Sequence, residues 1–198
     1  MEHFRVERCD FRNVGGADVD LIVTDPPYGR EFDDIWYHLG RKAREWLRPG
    51  GLLITYASHT TFPEAFDGLR AHLNYYWIGS VDISSNPNYF DKKYNMRSGS
   101  RPILMFTNGK YTPRARTDDT FKSPAPDKRF HKWQQNLEPI KAIIEQYSEP
   151  GDFVMDPMMG SGTTAVACVE LGRQFFGCDE DAHAISIAAS RLTLTLAS

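Results

Sequence analysis

Two hydrophobic rhythms alternate along the chain. Short apolar runs at 3–8, 19–24, 51–57, 75–82, 102–107, 152–156 and 174–178 read as strands. Several are continuous enough to be buried on both faces, as in parallel sheets. Helical periods lie between them. Residues 33–47 place Ile35, Trp36, Leu39, Ala43, Trp46 and Leu47 on one face, then stop at "RPGG". Residues 61–73 carry Phe62, Ala65, Phe66, Leu69 and Leu73 at helical spacing. "LEPIKAIIEQYSEPG" groups Leu137, Ile140, Ile143, Ile144 and Tyr147 before Pro150 and Gly151 end it. Residues 163–171 and 181–194 complete the set. Strands alternating with such helices predict an α/β fold: one domain over residues 1–198 with a doubly wound, mostly parallel sheet.

Residues 84–101 and 109–135 break the rhythm. They are rich in Ser, Asn, Pro, Lys and Arg, with Tyr89, Phe90, Tyr94, Tyr111, Phe121, Phe130 and Trp133 interleaved. Long loops in a compact domain are usually functional or disordered. Charge concentrates here. Residues 92–132 hold eleven Lys and Arg against three Asp, a local charge of +8, so the remainder carries −11 against an overall −3. That asymmetry suggests a polyanion-facing segment on an acidic body. A solvated loop is the plain alternative.

"LIVTDPPYGR", residues 21–30, ends an apolar strand on a carboxylate and then fixes the next two residues. Pro26 and Pro27 cannot donate to a sheet ladder, so the strand stops at Asp25. In open α/β sheets that end of a strand faces the ligand crevice. A capped turn would explain the same local pattern.

"DFVMDPMMGSGTTAVACVELGRQFFGCDED" is the most informative stretch. A strand ends at Asp156 and Pro157. Gly160, Ser161 and Gly162 turn into a helix near Thr163 and Thr164, and the next strand ends at Asp179, 19 residues after Gly160. Gly160-x-Gly162-x-x-Ala165 matches the loose nucleotide fingerprint, with Asp179 where a ribose-binding acid belongs. A dinucleotide would set its pyrophosphate on this turn, beside a repelling Asp156. There is no GK[ST] to make a phosphate-cradling loop. S-adenosyl-L-methionine fits better. Its ammonium and sulfonium suit nearby acids, and its carboxylate suits the loop N–H groups. A purely structural βαβ turn remains the alternative.

The opening strand then acquires a use. An exocyclic base amine is a poor nucleophile, its lone pair delocalised into the ring. Asp25 can accept one of its N–H bonds and the Pro26 carbonyl the other, aiming the lone pair at a methyl donor. Tyr28 offers a face on which an extruded base can stack.

At this point the chain resembles the DNA amino-methyltransferases that modify adenine N6 or cytosine N4. "DPPY" followed by "DPMMGSGTT" is their permuted β order, catalytic motif first and glycine motif last. "HKWQQN", with Trp133 and Gln134, resembles their segment lining the methionine pocket. "CDF", with Asp10 and Phe11, resembles the segment contacting the cofactor adenine. The resemblance implies a Rossmann-like methyltransferase fold with the DPPY strand beside the glycine-loop strand. It implies catalysis by Asp25, Pro26, Pro27 and Tyr28. The implied cofactor contacts are Asp10, Phe11, Asp25, Trp133, Gln134, Asp156, Pro157, Gly160, Ser161, Gly162, Thr163, Thr164 and Asp179. Asp rather than Ser at the first motif position goes mainly with adenine in that family. No separate target-recognition domain is visible. DNA contact is therefore expected from the basic, aromatic segment 84–130, through Lys92, Lys93, Arg97, Arg101, Arg114 and Arg116. A decayed, non-catalytic nucleic-acid binder is the rival reading, and the intact DPPY disfavours it.

Composition adds little more. Hydrophobic residues make up 41% and charged residues 25%, ordinary for a soluble domain. Three cysteines without a CxxC pair, and histidines without ligand spacing, suggest a reducing cytoplasm and no metal. DNA is the expected partner. A homodimer is compatible with the sequence, and a membrane is not expected.

Overall fold

The computed structural model describes residues 4–27, 32–84, 90–124 and 136–197. Its main sheet has eight strands in the order β1-β10-β9-β2-β3-β7-β4-β8. The central strands are β9 (Phe153–Asp156), β2 (Val19–Thr24) and β3 (Leu47–Tyr56). On one side β9 pairs with β10 (Gln174–Asp179), and β10 pairs with β1 (Phe4–Arg8), all parallel. On the other side β3 pairs antiparallel with β7 (Ser100–Thr107), which pairs antiparallel with β4 (Asn74–Asp82). The parallel Rossmann-like core thus carries one reversed strand.

Strand alternation divides the core between two faces. Leu21, Val23, Leu52, Ile54, Ile103, Met105 and Val154 pack beneath α3 (Leu137–Tyr147), α4 (Thr163–Leu171) and α5 (Ala182–Leu196). Ile22, Leu53, Leu104, Phe106 and Met155 pack beneath α1 (Asp33–Trp46) and α2 (Phe62–Arg70). Successive residues of β2 and β3 are therefore buried on opposite faces, which is why these strands read as unbroken apolar runs. α1 turns Trp36, Leu39, Ala43 and Trp46 inward, and each is at most 2% exposed. These are the inward positions its sequence period predicts.

Some elements differ from expectation. β3 starts at Leu47, before the apolar run at 51, because Leu47 pairs with Val19 ahead of a register shift. The segment 109–135, read as a loop, contains the short strand β8 (Thr120–Lys122), parallel to β4. One buried side chain, Phe121, holds β8 in place, and three residues are too few to show a period. Within 84–101, β5 (Phe90–Asp91) and β6 (Met96–Arg97) form a small separate hairpin.

The connections matter most for the site. From β2 the chain crosses through α1 to β3 on one side, and from β9 it crosses through α4 to β10 on the other. The strands run parallel, but the strand order progresses in opposite directions from β9 and from β2, so a crevice opens above their carboxyl ends.

Candidate active site

Asp25 and Asp156 stand at the ends of the two neighbouring strands that form this switch point. Leu21 and Ile22 of β2 register with Val154 and Met155 of β9. The two motifs are more than a hundred residues apart in sequence, and the sheet brings them together.

Asp156 closes the floor. It is 4% exposed and accepts from Thr24 Oγ1 at 2.8 Å, Thr164 Oγ1 at 2.6 Å and the Met158 amide at 3.2 Å. One carboxylate therefore ties β2, β9 and the first turn of α4 together. Burial pushes its pKa up to about 7, against the opposing pull of the Thr164 and Thr24 hydroxyls. Sequence reasoning expected this group to meet a ligand cation. The structure buries it beneath the crevice instead, because two threonine hydroxyls and an amide satisfy it there.

The glycine turn lies above that floor. Gly160 has φ +51° and Gly162 φ +79°, both in the left-handed region that favours glycine. A Cβ at Gly160 would meet nothing within 4 Å, so the turn is open over that residue. A Cβ at Gly162 would lie 2.8 Å from Ala188 Cβ, so α4 and α5 meet through this glycine. Arg191 of α5 supports the turn from behind. Its Nη1 donates to the Ser161 carbonyl at 2.7 Å and lies 3.3 Å from both Ser161 Oγ and Thr163 Oγ1. Ser161, Thr163 and Thr164 are each buried. Pro157 is buried as well, and its carbonyl accepts from Cys178 Sγ at 3.3 Å.

Asp179, at the end of β10, caps the opposite rim. It accepts from the Gly160 amide at 2.9 Å and the Asp181 amide at 2.9 Å. It is partly exposed, so the carboxylate retains lone pairs for a further donor. Asp10 follows β1, the next strand over. It accepts from the Arg12 amide at 2.9 Å and pairs with the Arg12 guanidinium at 2.8 Å, which holds its carboxyl below the usual range. Phe11 is the next residue. It is 5% exposed and meets Trp46 edge-on at 6.4 Å, within the core beneath α1.

Asp25 is partly exposed, Pro26 is buried and Pro27 is exposed. Arg101 at the start of β7 brings Nη1 to 4.0 Å from Asp25 Oδ2. Tyr28, Trp133 and Gln134 lie outside the described residues.

The predicted DNA contacts separate into two groups. Lys92, Lys93 and Arg97 are exposed on the β5–β6 hairpin, which leads into Arg101 beside Asp25. Lys93 also covers the Tyr94 ring at 4.7 Å. Arg114 is elsewhere. It pairs with Asp152 at 2.8 Å and Glu149 at 3.7 Å, ahead of the first residue of β9 and so at the opposite end of the sheet. Those carboxylates offset the charge that sequence reasoning offered to DNA. Arg116 is exposed on the same crossing segment, two residues before Asp118, whose amide donates to Gln146 Oε1 at 3.0 Å. The structure brings neither Arg114 nor Arg116 to the hairpin.

Sequence reasoning missed Thr24 and Arg191. Thr24 reads as one more β-branched strand residue, and Arg191 is 30 residues from the turn it holds.

Comparison with known proteins agrees with this geometry. The family model described as DNA methylase matches residues 19–190. The type II methyltransferase M.HpaI of Haemophilus parainfluenzae is 24% identical over 228 residues, spanning 91% of this chain and 70% of that enzyme. Shorter matches to further type II methyltransferases span between 18% and 38% of those enzymes. The crystal structure of the M1.HpyAVI–SAM complex superposes with a TM-score of 0.77 at 22% identity, covering 96% of this chain and 98% of that one. The cytosine-N4-specific PvuII DNA methyltransferase superposes at 0.76 with 12% identity, covering 96% and 88%. With most of its length matched by the family model, and with both motifs meeting at one crevice, the chain belongs to the DNA methylase family of N6 and N4 amino-methyltransferases.

Proposed function

We propose that this protein transfers the methyl group of S-adenosylmethionine to the N6 amine of an adenine extruded from DNA. The observation that carries this reading is the adjacency of β2 and β9, which sets Asp25 beside the glycine turn. The chemistry of the turn suits the cofactor. Gly160 leaves open space where a side chain would stand, Asp179 offers a carboxylate to ribose hydroxyls, and Asp156 is sealed away so that no bare anion repels the ligand carboxylate. Asp10 lies at the neighbouring strand end, within the same row of carboxyl termini.

S-adenosylmethionine supplies an electrophilic methyl on its sulfonium. The protein's task is orientation and proton removal. Asp25 accepts one N–H of the base amine, and the Pro26 carbonyl, its φ fixed by the ring, accepts the other. Holding both hydrogens draws the nitrogen toward tetrahedral geometry and exposes its lone pair. As the N–C bond forms and the C–S bond breaks, the amine becomes cationic. Asp25 stabilises that charge and takes the proton. The exposed hairpin lysines and Arg97 precede Arg101, which stands beside Asp25, and they suit the phosphates of an incoming strand.

Adenine is favoured over cytosine because Asp25 is a stronger acceptor than a neutral side chain would be. The fold shared with the cytosine-N4-specific PvuII enzyme supports the second reading. Nucleoside mass spectrometry of DNA from a methylation-free host expressing the protein separates the two. N6-methyladenine is expected. N4-methylcytosine as the main product refutes the adenine assignment, and no modified base refutes the activity in that host.

A further inference from the structure

The face of the sheet beneath α3, α4 and α5 takes alternate residues of each strand. On β2 these are Leu21 and Val23, and on β3 they are Leu52, Ile54 and Tyr56. On β7, Met105 and Ile103 face the same way, and Arg101 is the next position of that series. Thr24 and Thr55 are the last registered pair of β2 and β3, so Asp25 and Tyr56 follow side by side. Tyr56 is 1% exposed, and its hydroxyl has no hydrogen-bond partner among the described residues.

That hydroxyl is anomalous. A buried O–H without a partner costs stability, and phenylalanine would fill the same space without that cost. The charged groups acting on it are Asp25, one strand away, and Arg101. Burial and the Asp25 charge push the phenol well above its ordinary range, so it stays protonated and is a donor rather than a base. Arg101 is a second donor near Asp25, at 4.0 Å, but its side chain is 30% exposed and it adjoins the basic hairpin. Backbone phosphates compete for such a guanidinium. The enclosed phenol cannot be drawn away.

We propose that Tyr56 is a positioning residue for methyl transfer, its O–H donating to one Asp25 oxygen so that the other faces the acceptor amine. This rests on the role given to Asp25 under Proposed function. Catalytic hydrogen bonds often close only in the loaded complex, which accounts for a donor without an acceptor here.

The test is Tyr56→Phe in the full chain. It is read by thermal melting, calorimetric titration with S-adenosylmethionine, and transfer of labelled methyl to unmethylated genomic DNA. The melting temperature should be unchanged or higher. The cofactor Kd and the KM for DNA should stay within about twofold, while kcat falls about tenfold to a hundredfold, the range for a hydrogen bond to a charged group. A kcat within twofold of wild type overturns the proposal. So does a fall in kcat accompanied by a lower melting temperature, which marks a structural role. Carbon-13 NMR titration of the Asp25 carboxyl in both proteins, with cofactor bound, needs no turnover. The variant's midpoint should move up, since the carboxylate has lost a donor. An unmoved midpoint overturns the contact. Absence of methyl transfer by the wild type strikes the proposed function instead and leaves the NMR comparison to decide Tyr56.

Discussion

Replacing Asp156 with asparagine should remove a pH-dependent penalty that the wild-type fold carries. The native carboxyl titrates at about 7, against an ordinary value of 3.8, and burial is the first cause. Here the folded-state pKa is raised, the reverse of a salt-bridged aspartate. Between pH 4 and 7 the unfolded chain has released this proton while the native chain retains it. Stability falls with rising pH wherever the native state binds more protons. The contribution of Asp156 is therefore least unfavourable below pH 4, worsens up to about pH 7, and is level above that. A shift of roughly three units, at about 1.36 kcal/mol each, puts the full penalty on the order of 4 kcal/mol. In a chain of this size that is on the order of 10 °C in melting temperature.

Asparagine keeps an acceptor for one threonine hydroxyl and offers an amide donor to the other, so Thr24 and Thr164 both retain a partner. The measurement is thermal unfolding by circular dichroism for both proteins from pH 4.5 to 8. The other acids titrate alike in both, so the difference between the curves isolates Asp156. The variant should gain on the wild type as pH rises, most steeply between pH 5 and 7. Parallel curves would refute the reasoning and show that the hydroxyl and amide donors already hold Asp156 ionised.

Three further outcomes follow from the same geometry. Asp179→Ala should weaken S-adenosylmethionine binding by about 10-fold to 100-fold, the range for charge-assisted hydrogen bonds to ribose, while an unchanged calorimetric Kd would assign that task elsewhere. Neutralising Lys92, Lys93 and Arg97 together should flatten the plot of log DNA affinity against log salt by up to about 0.9 per lost phosphate contact, whereas Arg114→Gln should leave the slope unmoved. Gly162→Ala should destabilise the protein, because φ is +79° and the new Cβ would stand 2.8 Å from Ala188; denaturant melts at wild-type midpoint would contradict that.

How far the sequence could be read depended on whether a feature is local. The alternation of strands and helices was legible because each element buries its own apolar face, and Trp36, Leu39 and Trp46 fell where a 3.6 period puts them. The left-handed turn at Gly160 and Gly162 was legible because those backbone angles favour glycine over residues that carry a Cβ. Burial of charge was not legible. Asp156 and Asp179 both end strands of the same crevice, and nothing in their flanking residues says that one is sealed and the other partly exposed. The difference comes from Thr24, which reaches Asp156 across a strand pairing 132 residues apart in sequence. Phe11 shows a related limit. An aromatic after a strand end suits a cofactor ring as well as it suits a core, and its packing against Trp46 of α1 comes from a distant part of the sequence. Arg114 shows the same limit for surface charge. Its place in a basic run says DNA, but Asp152 and Glu149 of another loop offset it at the far end of the sheet. Side chains whose partners come from distant sequence are thus the ones a motif cannot resolve. In this protein they include Thr24 and Arg191, which hold the crevice in shape, and Tyr56, whose buried hydroxyl becomes conspicuous only when β3 is laid beside β2.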